Sequence, residues 1–336
     1  MYKSIAISTM LFAATVTARP VQANALEAVR AAQDNAPRLQ ALSLNANGDI
    51  WVSGVQGKVI VSRDNGQSWQ TKSIADSEQL QFRDIWARDS TIFLLAAGEG
   101  SNSRIYQSAD DGATWQLQYT MNNPKGFINC FDFWDRQHGL VIGDSIDDKV
   151  FILQTNDGGK QWSRLSSAPL VNEGGEGAFS ASGSCLRTLN DDQVWLSTGA
   201  TNQPRLLRTS DRGATWTKTP LPFPNTNTGG IFTSLPQNNL AFGGQMKPEK
   251  AVGYYRDNQH WRAIKNIPLT GAIYGSASFG EQVIIVNPDG AALSKDDGKT
   301  WERISNDAYW VVEINDNGDA WLAGPKGRIS RLKLMP

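Results

Sequence analysis

The chain has 336 residues, with 32 Lys and Arg against 33 Asp and Glu and a formal net charge of -1. That near balance gives no electrostatic footprint for DNA or RNA, so nucleic-acid partners are excluded. Two cysteines and two histidines leave little material for a transition-metal centre.

Residues 1–25 read as a secretory signal: Lys3 supplies the positive start, residues 5–14 an apolar run, and Ala23-Asn24-Ala25 a small-residue cleavage site. The run is too short to span a bilayer and no later stretch is longer, so the chain is expected not to be membrane-spanning. The mature protein is expected to begin near Leu26 and to be periplasmic or secreted. Losing Lys3 and Arg19 and no acid takes the charge from -1 to -3.

From there the chain is punctuated by Ser-x-Asp-x-Gly-x-x-Trp. Five copies begin at Ser62, Ser108, Thr155, Thr209 and Ser294 and end at Trp69, Trp115, Trp162, Trp216 and Trp301. A period of about 40–50 residues marks a radial array of small sheets. Each copy reads as a tight turn. Asp64, Asp110, Asp157, Asp211 and Asp296 accept backbone N–H bonds within it. Gly66, Gly112, Gly158, Gly213 and Gly298 take the positive φ, and the Trp packs between sheets.

Alternating apolar residues divide the rest into seven β units: 39–69, 82–115, 127–162, 177–216, 230–261, 272–301 and 309–334. The fourth has a long leading loop, 163–184. The fifth keeps Trp261 behind a decayed turn, 256–260. The seventh stops before any turn, whereas 26–36 is a spare segment. The expectation is an all-β, seven-bladed propeller, one domain over 26–336, whose ring closes when 26–36 completes the last blade. Residues 26–32 read as a strand or a short helix. Cys130 and Cys185 fall at similar heights in adjacent units, which permits a disulfide; two buried thiols are the alternative.

Three further segments carry a resemblance: Phe-Arg-Asp-Ile-Trp at 82–86, Phe-Asp-Phe-Trp-Asp-Arg-Gln-His-Gly at 131–139 and Ala-Phe-Ser-Ala-Ser-Gly at 178–183. With the repeats, which resemble the Asp-box or BNR turn, they make the chain similar to the photosystem II stability/assembly factor family of secreted propellers. The resemblance implies that the five turn aspartates are structural and that the protein is a non-catalytic assembly factor. Its partner would be an envelope or membrane protein. The family's basic patch is represented here only by scattered basic residues.

Other chemistry finds little support. Gly98-Glu99-Gly100 lacks the third glycine and the helix of a nucleotide fingerprint, so no cofactor is expected. His138 and His260 lie in different units, and no metal-ligand spacing occurs. The acidic loop 143–148 reads as a solvated turn. If the protein is an enzyme, the reaction is glycoside hydrolysis, which needs two carboxylates across a cleft. Glu173 and Glu176 in a glycine-rich loop are the candidates, with a flexible solvated loop as the other reading. The alternative function is therefore a hydrolase or lectin of the sialidase-like type, although the Arg-Ile-Pro motif of sialidases is absent. Binding is expected on the loops opposite the repeated turns, around Arg83, Glu99, Arg104, Lys125, Asn129, Asp144, Arg205 and Gln245. The occupant there would be a protein, a polar ligand or a glycan. Trp86, Trp134 and Trp310 are expected to pack between blades.

Overall fold

The computed structural model describes residues 26–171, 175–190 and 192–335. The signal-like segment and Glu173 lie outside these residues. Seven four-stranded antiparallel sheets form the molecule. Blade 1 is Leu39–Leu44, Ile50–Gly54, Val59–Ser62 and Gln70–Lys72, from the inner strand outward. The inner strands of blades 2 to 6 are Phe82–Arg88, Ile128–Phe133, Leu186–Leu189, Gly229–Leu235 and Gly275–Phe279. Blade 7 takes Val311–Ile314, Asp319–Ala323 and Ile329–Lys333 from the C-terminal end and its outer strand, Glu27–Arg30, from the N-terminal end. Glu27 pairs with Arg331 and Ala28 with Ser330, so the closing segment is a strand and the ring is sealed as the truncated seventh unit predicts. Among the described residues the only helical pieces are three single 3-10 turns, and no helix is long and apolar enough to cross a membrane.

The blades hold together by burying the faces their alternation prepares. Trp51, Val59 and Val61 of blade 1 pack on Phe82, Ile92 and Leu94 of blade 2. Equivalent clusters join each later pair, and the last seats Trp321 and Ile329 of blade 7 against Leu39 and Val52 of blade 1. Near the axis, side chains tie inner strands across blades. Asp84 accepts Phe131 N–H at 2.8 Å, Asp132 accepts Thr188 N–H at 2.8 Å, and Ser43 Oγ accepts Ala87 N–H at 2.9 Å.

The repeated turns share one hydrogen-bond scheme. Asp110 Oδ1 accepts Ser108 Oγ and Thr114 N–H, and Oδ2 accepts Thr114 Oγ1, at 2.6 to 2.8 Å. Gly112 N–H donates to Ser108 Oγ at 2.8 Å. These bonds hold the Asp110 carboxyl down at about 2, Thr114 contributing most. The glycine is required twice over: its φ is +73°, and a Cβ there would lie 2.7 Å from Trp51 Cη2 of the preceding blade. In the third turn it is Gly159, not Gly158, that fills this place; Gly159 N–H donates to Thr155 Oγ1, and a Cβ on it would lie 2.5 Å from Phe93 Cε1. Gly158 occupies the preceding position, where Asn65, Asp111, Arg212 and Asp297 also take a positive φ. In the fifth blade the turn shrinks to Asn258 and Gln259 between paired Asp257 and His260. Trp261 still packs edge-on against Trp195 of blade 4.

Candidate functional site

Strand direction separates two faces. Each inner strand runs toward the face of the repeated turns, so the loops before inner strands and those joining second to third strands gather on the other face. Arg83, Glu99, Arg104, Lys125, Asn129, Asp144 and Gln245 all belong to that other face.

The fourth unit departs from its neighbours. Its inner strand is only Leu186–Leu189, and residues 178–184 before it are buried rather than exposed as a loop. They fold across the axis as a plug. Phe179 stacks on Phe232 of blade 5 with centroids 3.9 Å apart. Ser180 Oγ accepts Arg83 of blade 2 at 3.0 Å. Ser182 Oγ donates to the Tyr274 carbonyl of blade 6 at 2.6 Å, and Gly183 lies against the Asp84 carboxylate of blade 2. Small residues are needed because the axis leaves no room; Gly183 also has φ +75°. Directly after the plug, Cys185 is bonded to Cys130 of blade 3, with the Cα atoms 6.0 Å apart.

The plug divides the axial channel into two pockets. The lower one, about 460 Å3, opens on the face of the repeated turns and holds Asp84, Asp132, Arg187 and Glu313. Arg187 donates to Glu313 at 2.9 Å and to the Ser276 carbonyl at 3.2 Å. Burial pushes the carboxyls of Asp84, Asp132 and Glu313 upward, while three nearby acids hold the Arg187 proton more tightly.

The upper pocket, about 550 Å3, draws residues from all seven blades and has the plug as its floor. One wall is aromatic: Phe179, Tyr274 and Trp310, with Tyr274 and Trp310 edge to face at 5.4 Å. Trp310 is therefore a pocket residue rather than a blade-packing one. Arg38 lies over its ring, 5.0 Å from the centroid. Arg83 is fixed by Gln81 Oε1 and Ser180 Oγ. Among the described residues neither arginine has a carboxylate within ion-pairing distance. Burial holds both guanidinium groups below their usual range, and the charge of Arg38 adds to the effect on Arg83. Arg38 Nε and Gln40 Oε1 are buried with no hydrogen-bond partner, and Gln40 is 2% exposed. Each such atom costs about 1–3 kcal/mol when left unmade.

The acids of this pocket are committed elsewhere. Glu176 has a fully buried carboxylate, its side chain 0% exposed, paired with Arg205 at 7%. Arg205 Nε donates to Oε1 at 2.8 Å and Nη2 to Oε2 at 2.5 Å, while Thr198 Oγ1 donates to Oε1 at 2.7 Å. Neither Glu176 nor Arg205 is thus presented to a ligand as a loop side chain; together they brace the base of the plug. Asp144 accepts Asn129 Nδ2 at 2.8 Å and the Ala178 N–H, and burial raises its carboxyl above the ordinary range. Glu99, Arg104, Lys125 and Gln245 stand outside the pocket lining. Among the described residues no three His, Cys, Asp or Glu side chains are grouped to hold a metal. His138 caps its own turn through Asp135, 2.9 Å away.

Comparison with known proteins follows the fold. No family model matches the chain. YCF48 from Cyanidioschyzon merolae superposes with a TM-score of 0.68 over 92% of this chain and 98% of its own, at 13% identity. A YCF48 structure bound to a D1 peptide gives 0.66 over 94% and 99%, at 14% identity. A streptogramin B lyase gives 0.64 over 93% and 98%, at 13% identity. The chain is a seven-bladed propeller. In sequence, a Paenibacillus xyloglucanase is 23% identical over 216 residues, 56% of this chain and 21% of that protein. The chain thus matches only about a fifth of the length of that curated relative.

Proposed function

We propose that this propeller is a non-catalytic, assembly-factor-like binding module that works outside the cytoplasm and engages a protein partner through the face opposite the repeated turns. The observation that carries the reading is the architecture of that face. A plugged, aromatic-walled pocket opens there, with uncommitted arginines inside and exposed Leu170 (59%) and Met246 (49%) on the same face. Such a surface suits a chain segment that brings apolar and polar groups together. The YCF48 neighbour with a bound peptide supports the same use of the fold. The cleavage-site pattern before Leu26 and the bonded Cys130 and Cys185 support an oxidising compartment.

A photo-crosslinking side chain at Leu170 or Met246 should capture one envelope protein in stoichiometric yield. The same group at Ser68, on the turn face, should capture none. Equal labelling from both faces would overturn the reading.

The glycoside-hydrolase alternative has two observations in its favour. Asp144 lines the pocket with a raised pKa, as a general acid requires, and the xyloglucanase is a relative in sequence. Release of sugar from xyloglucan oligosaccharides, abolished by Asp144→Asn, would establish that alternative.

A further inference from the structure

Beyond partner binding, the axial pocket has a chemistry of its own. Two cations, Arg38 and Arg83, face it with no carboxylate of the described residues within ion-pairing distance, and their positions are fixed. Trp310 lies under one, and Gln81 and Ser180 hold the other. Gln40 lines the same pocket and has a buried amide oxygen without a partner, and Arg38 Nε is likewise buried without an acceptor. The wall next to them is a run of planar rings: Phe179 on Phe232, Phe232 parallel to Tyr274 at 5.7 Å, and Tyr274 against Trp310. Asp144, the carboxyl group in the lining besides the paired Glu176, is held by Asn129 and the Ala178 N–H. The floor is closed by the plug, so whatever enters must end there rather than thread through.

We infer that this pocket recognises a carboxylate carried next to a planar ring, the carboxylate meeting Arg38 and Arg83 and the ring lying against Tyr274 and Trp310. The physical grounds are general. A guanidinium pairs with a carboxylate through parallel N–H bonds, an unpartnered donor such as Arg38 Nε favours a ligand that brings an acceptor, and aromatic faces accept a ring at little conformational cost. The pocket volume of about 550 Å3 lies within the range of small-ligand sites. Two sources share this chemistry: a free aromatic acid and the C-terminal aromatic residue of a peptide.

Calorimetric titration of the full chain separates these cases. The probes are N-acetyl-phenylalanine, its carboxamide, and N-acetyl-alanine. The free acid should bind at least tenfold tighter than both the carboxamide and the alanine derivative. Equal affinity for acid and carboxamide, or no heat from any probe at millimolar concentration, overturns the inference, and this comparison needs no variant. In Arg38→Gln, whose melting curve checks folding, the preference for the acid should disappear; Arg38→Lys should keep part of it. Retention of the full preference in Arg38→Gln would also overturn the inference. A hexapeptide ending in phenylalanine assigns the source. Affinity more than tenfold above that of N-acetyl-phenylalanine means a chain end that also uses the rim; equal affinity means a free acid. The crosslinking experiment reads the outer rim, so partner binding can survive failure here.

Discussion

Removing the Glu176 carboxylate tests whether that residue is a structural brace or a reagent. The Glu176–Arg205 pair is bidentate and has almost no exposed side-chain surface, 0% and 7%. Glu176→Met would strand the guanidinium, which keeps only the Leu170 carbonyl among its named partners, and would also remove the acceptor of Thr198 Oγ1. Breaking one side of a buried pair costs about 3–5 kcal/mol. In a domain of this size that lowers Tm by roughly 2 °C per kcal/mol, so a fall of about 6–10 °C is expected. Arg205→Met should cost a similar amount. The double variant should lose clearly less than the sum, by about 2 kcal/mol, because the second substitution removes the stranded charge. Guanidinium unfolding of the four proteins, followed by tryptophan fluorescence, measures the cycle. Additive losses, or single losses below about 1 kcal/mol, would refute the assignment. A Glu176→Met protein that is fully stable yet loses a glycoside-cleaving activity would reverse it.

Four further outcomes follow from the same geometry. The stability gap between wild type and Asp110→Asn should narrow as pH falls from 4 toward 2. The folded carboxyl at about 2 lies below its ordinary 3.8, so its contribution is present above 3.8 and lost on protonation. Asp84→Asn should show the opposite trend, gaining on wild type as pH rises from 4 to 7, because burial raises the Asp84 carboxyl and ionising it costs stability; denaturant titrations at each pH read both. Gly112→Ala should lose about 2–3 kcal/mol, since its φ is +73° and the new methyl meets Trp51, whereas Gly48→Ala at φ +92° has no atom within 4 Å and should lose only about 1 kcal/mol. Cys130→Ser with Cys185→Ser should cost about 4 kcal/mol, as expected for releasing a cross-link spanning 55 residues. Unfolding midpoints that do not move would count against each.

How far the molecule was legible depended on whether information was local. The repeated Ser-x-Asp-x-Gly-x-x-Trp is a self-contained hydrogen-bonded turn, so five copies in the sequence announce five blades. Alternation around Trp261 and the truncated seventh unit supply the other two. The partner strand for 26–36 was readable because an unpaired edge must be covered. Arg83, Asn129 and Asp144 could be placed on the correct face for the same reason, since strand direction follows from the turns. In the third turn the glycine is Gly159 rather than Gly158: the spacing from Thr155 and Trp162 selects it, and its amide bonds Thr155 Oγ1, while Gly158 takes the preceding positive-φ position.

The site itself was decided by contacts among residues far apart in sequence. Arg38, Gln40, Tyr274 and Trp310 carry no motif, and the ring brings them together because they lie at or just before the start of the inner strands of blades 1, 6 and 7. Residues 178–184 read as part of a long loop, yet they are buried. Their small side chains fit the axis, and blades 2, 5 and 6 supply the hydrogen bonds and ring faces that hold them. Glu176 and Arg205, 29 residues apart, read as a candidate acid and a candidate contact. Only tertiary structure shows that they neutralise each other. The sequence by itself determined the blade count, the closure and which loops share the face opposite the repeated turns, because those follow from short-range turn chemistry and strand periodicity. The pocket, its plug and the commitment of its charges were decided by tertiary structure, because the axis of a propeller belongs to every blade and to no single stretch of chain.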